Sequence, residues 1–205
     1  MWTLLAEGNV HTTTDLRKVR AQIPAGLRHR IAQEPCSAER FRRVALVAAD
    51  ITTQVKVVLP EMGDLYWIDY DCLNPAEFVR ASTSIPFFFT PYRVASVPQR
   101  KEAWTRWSHL AGYNGEVPDS VVFVDGGVMS NFPIDLFHNF TKAPSAPTFG
   151  ACLGLGSTKP TKTQRLSHLL LAIFDSARHV HNYDFIARNP DCRYLVRAID
   201  TEEHN

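Results

Sequence analysis

The sequence predicts an α/β fold: a mainly parallel sheet covered by helices on both faces. Two observations point to it, namely apolar runs of strand length and helix-periodic segments that alternate with them. Right-handed crossover helices place a layer on each face of a parallel sheet, so this alternation favours that class. The 205 residues, 45% apolar and 21% charged, are enough to bury a continuous core.

The strands are predicted from apolar and β-branched runs. Residues 43–59 hold two such runs, separated by a turn-like Asp-Ile-Thr-Thr break. Residues 121–124 form a buried run that is closed by Asp-Gly-Gly. The runs at 148–155 and 194–199 predict two further strands.

The helices are predicted from capping residues and apolar spacing. Asn74 followed by proline predicts a short helix over 74–83. Another helix is expected from about 131 to 140. The apolar positions between Leu166 and Val180 follow one helix face and predict a helix over 164–187. Residues 16–23 have helical spacing and excess basic charge, which is typical of a solvated face.

Charge and cysteine usage exclude several classes of protein. The 22 basic and 21 acidic side chains leave a net charge of +1, so no global field favours nucleic acid. The four cysteines contain no C-x-x-C pair, which argues against a zinc knuckle or a disulfide framework. Neither a secretion signal nor an apolar run of bilayer-spanning length occurs, and the sequence therefore predicts a cytoplasmic protein.

Three other candidate sites have little support. The glycine-rich loop at 154–157 precedes Lys159 and Lys162, but it matches neither dinucleotide nor P-loop spacing. Cys152 stands at the centre of a G-x-C-x-G sequence but lies inside an apolar run, so a core position is expected. His179 and His181 are two residues apart on a predicted helix and point in different directions. No metal or cofactor is therefore expected.

Asp125 is the strongest candidate for chemistry. It ends a predicted buried strand and precedes Gly126 and Gly127, which allow a tight turn and the close approach of another group. In parallel α/β sheets functional groups gather beyond the carboxyl ends of strands, which also draws attention to Asp50. The residues by themselves leave two interpretations open for Asp125, a catalytic base or a turn cap.

Trp104 and Trp107 form a second point of interest. Together with Leu110 and Ala111 they fit one face of a short helix that is flanked by Arg106 and other basic residues. Such a face suits contact with a membrane surface. Tryptophans at this spacing also serve to cover a domain's own core.

Two segments in this order resemble the patatin-like phospholipase family. FVRASTSIPFFFTPY at 78–92 is similar to its A-S-x-S-x-P segment, and FVDGGVMSNFPIDLF at 123–137 is similar to its D-G-[AG] motif followed by N-x-P. The resemblance implies a three-layer fold and a hydrolase that degrades lipid or other esters without a cofactor. It also implies a serine–aspartate dyad in which Asp125, within the motif Asp125, Gly126 and Gly127, is the base.

The sequence departs from this family at the nucleophile. No G-x-S-x-G and no G-G-G-x-x-G oxyanion loop occurs in the 205 residues. We therefore expect residues 1–205 to be a partial patatin-like domain whose nucleophile lies upstream of Met1, which leaves the activity of this chain alone uncertain. The alternative is a non-catalytic α/β module that has lost that half and binds lipid or protein.

Overall fold

The computed structural model describes residues 2–23, 25–26, 44–129, 133–138, 148–153, 163–190 and 192–199. The chain divides into two compact units, residues 1–126 and 127–205. Each unit is described by itself below.

The first unit combines a sheet with short helices. Its described elements are α1 (Trp2–Glu7), α2 (Thr13–Ala21), β1 (Leu46–Asp50), β2 (Val55–Leu59), α3 (Ala76–Ser82), β3 (Tyr92–Val94), α4 (Ala103–Arg106) and β4 (Val121–Asp125). The four strands form one sheet in the order β2-β1-β4-β3.

Every pairing in this sheet is antiparallel, so the predicted mainly parallel, three-layer sheet with helices on both faces is wrong. In register, Asp50 lies opposite Val55 on β2 and opposite Phe123 on β4, and Tyr92 of β3 also lies opposite Phe123. For the β1–β2 pair the physical reason is the length of the connection. Only the turn at 51–54 joins β1 to β2, whereas a parallel pair needs a crossover of about a dozen residues or more.

The second unit contains β5 (Gly150–Leu153), α5 (Leu166–Arg188), α6 (Cys192–Leu195) and β6 (Val196–Ile199). Here β5 and β6 pair in parallel, with Gly150 opposite Val196. The connection between them includes α5, which gives the chain the length that a parallel pair requires. The helix predicted over 164–187 is confirmed, and the last strand is confirmed from Val196 onward.

The local signals for helices in the first unit are also confirmed. The Asn74 Oδ1 atom accepts a hydrogen bond from the Ala76 amide at 2.9 Å, just ahead of α3. In α2, a capping box joins Thr12 and Asp15. In the second unit, the described residues 133–138 contain a 3₁₀ turn at Pro133–Leu136, where the sequence predicts part of a helix over 131–140.

The core of the first unit lies against one face of the sheet and is rich in aromatic rings. Tyr66 is its centre, with ring centroids 4.9 Å from both Trp107 and Phe123 in edge-on geometry. Trp67 stacks on Phe123 at 5.9 Å and meets Phe78 of α3 edge-on. These contacts attach α3 and the start of a π-helical turn at Trp107–Ala111 to the central strand β4.

The hairpin of β1 and β2 is closed by a buried carboxylate, Asp50. Its Oδ1 atom accepts from the Thr52 and Thr53 amides, and its Oδ2 atom accepts from the Thr53 hydroxyl at 2.6 Å. Burial raises the pKa of Asp50, and the Thr53 hydrogen bonds oppose that shift. Burial, and next the nearby Asp50 charge, also raise the pKa of Tyr66, although no hydrogen bond of normal geometry joins its hydroxyl to the carboxylate.

We expect Asp50→Ala to lower the free energy of unfolding by about 1–3 kcal/mol, because the amides of Thr52 and Thr53 lose their acceptor. Asp50→Asn keeps one acceptor oxygen and should cost less.

The folded chain holds the Asp50 proton to a higher pH than the unfolded chain does. The stability of the wild type relative to Asp50→Asn should therefore fall as the pH rises from 3.8 through the raised pKa of Asp50. Urea unfolding of both proteins across this pH range measures the difference between their free energies of unfolding. A difference that stays constant or rises with pH would contradict a raised pKa for Asp50.

Candidate active site at the end of strand β4

Asp125 lies at the carboxyl end of β4, where its backbone is fixed on two sides. The Asp125 amide donates a hydrogen bond to the Ser84 carbonyl at 2.9 Å. On the other side Asp125 lies opposite Ala48 of β1 in the sheet register. Its side chain is half-buried. The backbone at this position is therefore set by both the sheet and the segment that follows α3.

Because Gly126 has no side chain, the chain can pass directly over β1 at this position. A Cβ atom built on Gly126 would lie 2.0 Å from the Val47 carbonyl oxygen, closer than any side chain permits. The same carbonyl accepts a hydrogen bond from the Ser82 hydroxyl at 2.7 Å. β1, the end of α3 and the end of β4 thus meet around a single peptide group, and only glycine fits at position 126.

Arg80 of α3 fixes the loop that leads from α3 to β3. Its Nη1 atom donates to the Ser84 hydroxyl at 2.6 Å, and its Nη2 atom donates to the Thr90 carbonyl at 2.7 Å. Between these two points Phe87 has a φ of 71°, a left-handed conformation that costs a bulky residue about 1–3 kcal/mol. The Arg80 hydrogen bonds at both ends of the loop help to hold that conformation.

The structure separates residues that the sequence groups together. Because β1 and β4 are antiparallel, Asp50 and Asp125 lie toward opposite ends of the strand pair, so the expectation of one shared edge was wrong. Gly127 follows Asp125 in the 3₁₀ turn Gly126–Val128. The glycine-rich loop at 154–157, with Lys159 and Lys162, lies outside the described residues. So do the side chains of Cys152, His179 and His181.

The two tryptophans do not share a surface. Trp104 is 56% exposed, whereas Trp107 is fully buried against Tyr66 and Tyr113. Trp107 therefore covers the core of the first unit, which was one of the two interpretations of this tryptophan pair. Membrane contact through Trp104 and Trp107 together does not fit the structure. In the described ranges, no helix is long and apolar enough to cross a membrane, and no group of acidic, histidine or cysteine side chains is arranged to hold a metal ion.

Sequence reasoning missed Arg80 and the exposed loop that it holds. The only signal in the sequence was three consecutive phenylalanines at 87–89 after a proline, which also fits a buried run. Nothing in the sequence indicates that an arginine seven residues earlier reaches past them to Thr90.

The family model for patatin-like phospholipases matches residues 3–138, about two thirds of the chain. The chain belongs to the patatin-like phospholipase family. That match covers both motif segments, which the structure joins through the hydrogen bond from Asp125 to Ser84. The family is one of lipid acyl hydrolases, and its members act on lipid substrates.

A relative named uncharacterized protein YqhO, from Bacillus subtilis (strain 168), is 29% identical over 157 residues. The alignment covers 76% of this chain and 46% of the relative, so the chain spans about half the length of the relative that it matches. No solved structure matches the chain.

Gly126→Ala should destabilise the first unit of this patatin-like chain. The added methyl group meets the Val47 backbone, which cannot move without separating β1 from β4, so we expect a loss of about 1–3 kcal/mol in the free energy of unfolding. Gly8→Ala is the matched control, because its Cβ would meet the Leu5 and Leu4 carbonyl oxygens at ordinary distances of 3.5 and 3.7 Å. Thermal and urea unfolding of the two variants compare them, and equal stabilities would show that β1 and β4 are not packed this closely.

Proposed function

We propose that this chain is the base-bearing part of a patatin-like lipid acyl hydrolase. Asp125 is the base of a serine–aspartate dyad, and the serine is supplied by polypeptide outside these 205 residues. The observation that carries the proposal is the direct hydrogen bond between the two family segments, from the Asp125 amide to the Ser84 carbonyl. It supports a fixed position for Asp125 next to the A-S-x-S-x-P segment.

The chemistry needs a base because a serine hydroxyl is hardly ionised at neutral pH. In the proposed reaction the serine oxygen bonds to the ester carbonyl carbon while its proton passes to the Asp125 carboxylate. The carbon–oxygen bond to the alcohol then breaks, and the alcohol leaves with that proton. Asp125 next takes a proton from a water molecule that attacks the acyl-enzyme, and the fatty acid is released as the serine regains its proton.

The surroundings of Asp125 suit a base that must stay in place. Its amide is bound by Ser84, and Gly126 locks the following peptide against Val47. Neither anchor uses the carboxylate oxygens, so the backbone of Asp125 is held independently of its side chain. Gly126 and Gly127 complete the proposed motif.

One observation favours a second function, a non-catalytic module that binds lipid or protein. The sequence lacks both the G-x-S-x-G elbow and the oxyanion glycines, although the two segments that position Asp125 are present. The reading frame upstream of the Met1 codon separates the two functions. A G-x-S-x-G there, after an apolar run, supports the hydrolase, and its absence supports the module.

The 205-residue chain by itself should not hydrolyse p-nitrophenyl butyrate above a buffer blank, since a base without its nucleophile cannot form an acyl-enzyme. Release of p-nitrophenolate measures this directly. Turnover that a serine-directed phosphonate abolishes, with the label on a serine of this chain, would contradict the proposed division of the dyad.

In a protein that carries both the serine and these residues, Asp125→Asn should lower kcat for ester hydrolysis by roughly 10²–10⁴, because the amide keeps the size of the carboxylate but accepts no proton. Asp50→Asn and Asp135→Asn are the controls and should keep kcat within a few fold. Circular dichroism spectra must match among all three. Retention of more than about a tenth of wild-type turnover by Asp125→Asn is too small a loss for a general base. The dyad assignment would then fail, and Asp125 would be a turn cap.

A further inference from the structure

The segment Ile85–Phe89, called the phenylalanine loop below, is an exposed apolar surface. Phe87, Phe88 and Phe89 are 59%, 71% and 55% exposed, and Ile85 is exposed beside them. Single exposed apolar residues are ordinary on protein surfaces, but four within five positions make a contiguous patch of the kind that marks an interaction site.

The phenylalanine loop is an ordered element that presents these rings. The amides of Phe88 and Phe89 both donate to the Ile85 carbonyl, at 3.2 and 3.0 Å, which closes one tight turn. Arg80 binds the residues on either side of the loop, the Ser84 hydroxyl and the Thr90 carbonyl. Specific hydrogen bonds and a strained Phe87 backbone therefore hold the rings in water. A relaxed loop could instead turn the rings inward.

The phenylalanine loop stands at the same end of the sheet as Asp125. Its first neighbour, Ser84, binds the Asp125 amide, and β3, which follows the loop, runs antiparallel to β4 from Tyr92 opposite Phe123. Extending that register toward the loop brings the Thr90 end of β3 level with Asp125. Both ends of the loop thus flank the proposed base.

The chain on either side of the loop carries basic residues. Between Glu77 and Glu102 the sequence contains Arg80, Arg93, Arg100 and Lys101 and no acidic residue. Arg80 and Arg93 are exposed and lie on either side of the phenylalanine loop along the chain. Exposed aromatic rings flanked by arginines complement a surface of apolar chains with anionic headgroups.

We propose that the phenylalanine loop inserts into the surface of a membrane or lipid aggregate that contains anionic lipid, with Arg80 and Arg93 at the headgroups. This inference rests on the proposed function, because insertion of the loop serves to bring Asp125 to an ester in a lipid layer. It names the substrate as lipid presented at an interface. The loop protrudes as one turn of three consecutive rings, which suits entry into a fluid layer better than a fit to a shaped protein surface.

The test is sedimentation of the 205-residue chain with vesicles of phosphatidylcholine alone or mixed with phosphatidylglycerol. We expect the wild type to bind the mixed vesicles. The double variant Phe88→Ser/Phe89→Ser should lower the partition coefficient by at least about tenfold. Arg93→Gln should lower it by about fivefold, and on the mixed vesicles only. Trp104→Ser is the matched control. Trp104 is an equally exposed ring that lines a cleft with Pro118 and Asp119, which precede β4 and lie away from its Asp125 end.

Unchanged binding by the double variant, an equal loss in Trp104→Ser, or no binding by the wild type would each overturn the proposal. So would a wild-type dimer that the double variant converts to monomer without any vesicle binding, since the loop would then contact a second copy of the chain. If circular dichroism shows that the double variant is unfolded, Phe88→Ser alone, at the most exposed ring, decides the question. Vesicle binding needs no serine and is measured without ester hydrolysis, so failure here and failure of the dyad are separate outcomes.

Discussion

The hydrogen bond from the Asp125 amide to the Ser84 carbonyl joins the two motif segments of this chain. Ser84 lies just after α3, and Asp125 ends the central strand β4. The neighbouring contact of Gly126 with Val47 brings β1 into the same place. An end of the sheet, a helix end and a protruding loop are therefore coupled through two backbone contacts, and a shift in any one of them displaces the proposed base. The position after Asp125 has no room for a side chain because it lies where these elements meet.

Much of the local structure could be predicted from the sequence, because it depends on signals that lie within a few residues. Asn74 and the following proline marked the start of α3, and the apolar spacing from Leu166 marked α5. Pairing direction is a different kind of property. The same apolar runs suit parallel and antiparallel sheets, and a connection decides between them only when it is too short for a crossover, as between β1 and β2. The short turn after Asp50 is visible in the sequence and allows only an antiparallel pair of β1 and β2, whereas buried strands by themselves favour a parallel sheet.

The candidate site could be predicted only as far as Asp125 and its two glycines. Residues three apart on a helix are separated by about 60° around its axis, so Trp104 and Trp107 can stand at the border between core and water. Which of the two enters the core depends on where Tyr66 and Tyr113 lie, and no pattern near the tryptophans encodes that. Arg80 has the same limitation. Its partners Ser84 and Thr90 are identified only once the loop between them has folded back on itself.

The antiparallel register also orders the pairings of the sheet by the chain length that each must close. β1 meets β2 across a turn of four residues, whereas β1 meets β4 only when positions 50 and 123 come together. The loss of chain entropy on closing a loop grows with its length, so the second pairing is entropically the most expensive in the sheet. Asp125 and Gly126 belong to that pairing. The residues proposed for catalysis thus depend on the least local contact of the sheet, while the hydrogen bonds of the Asp50 carboxylate lie within the most local one.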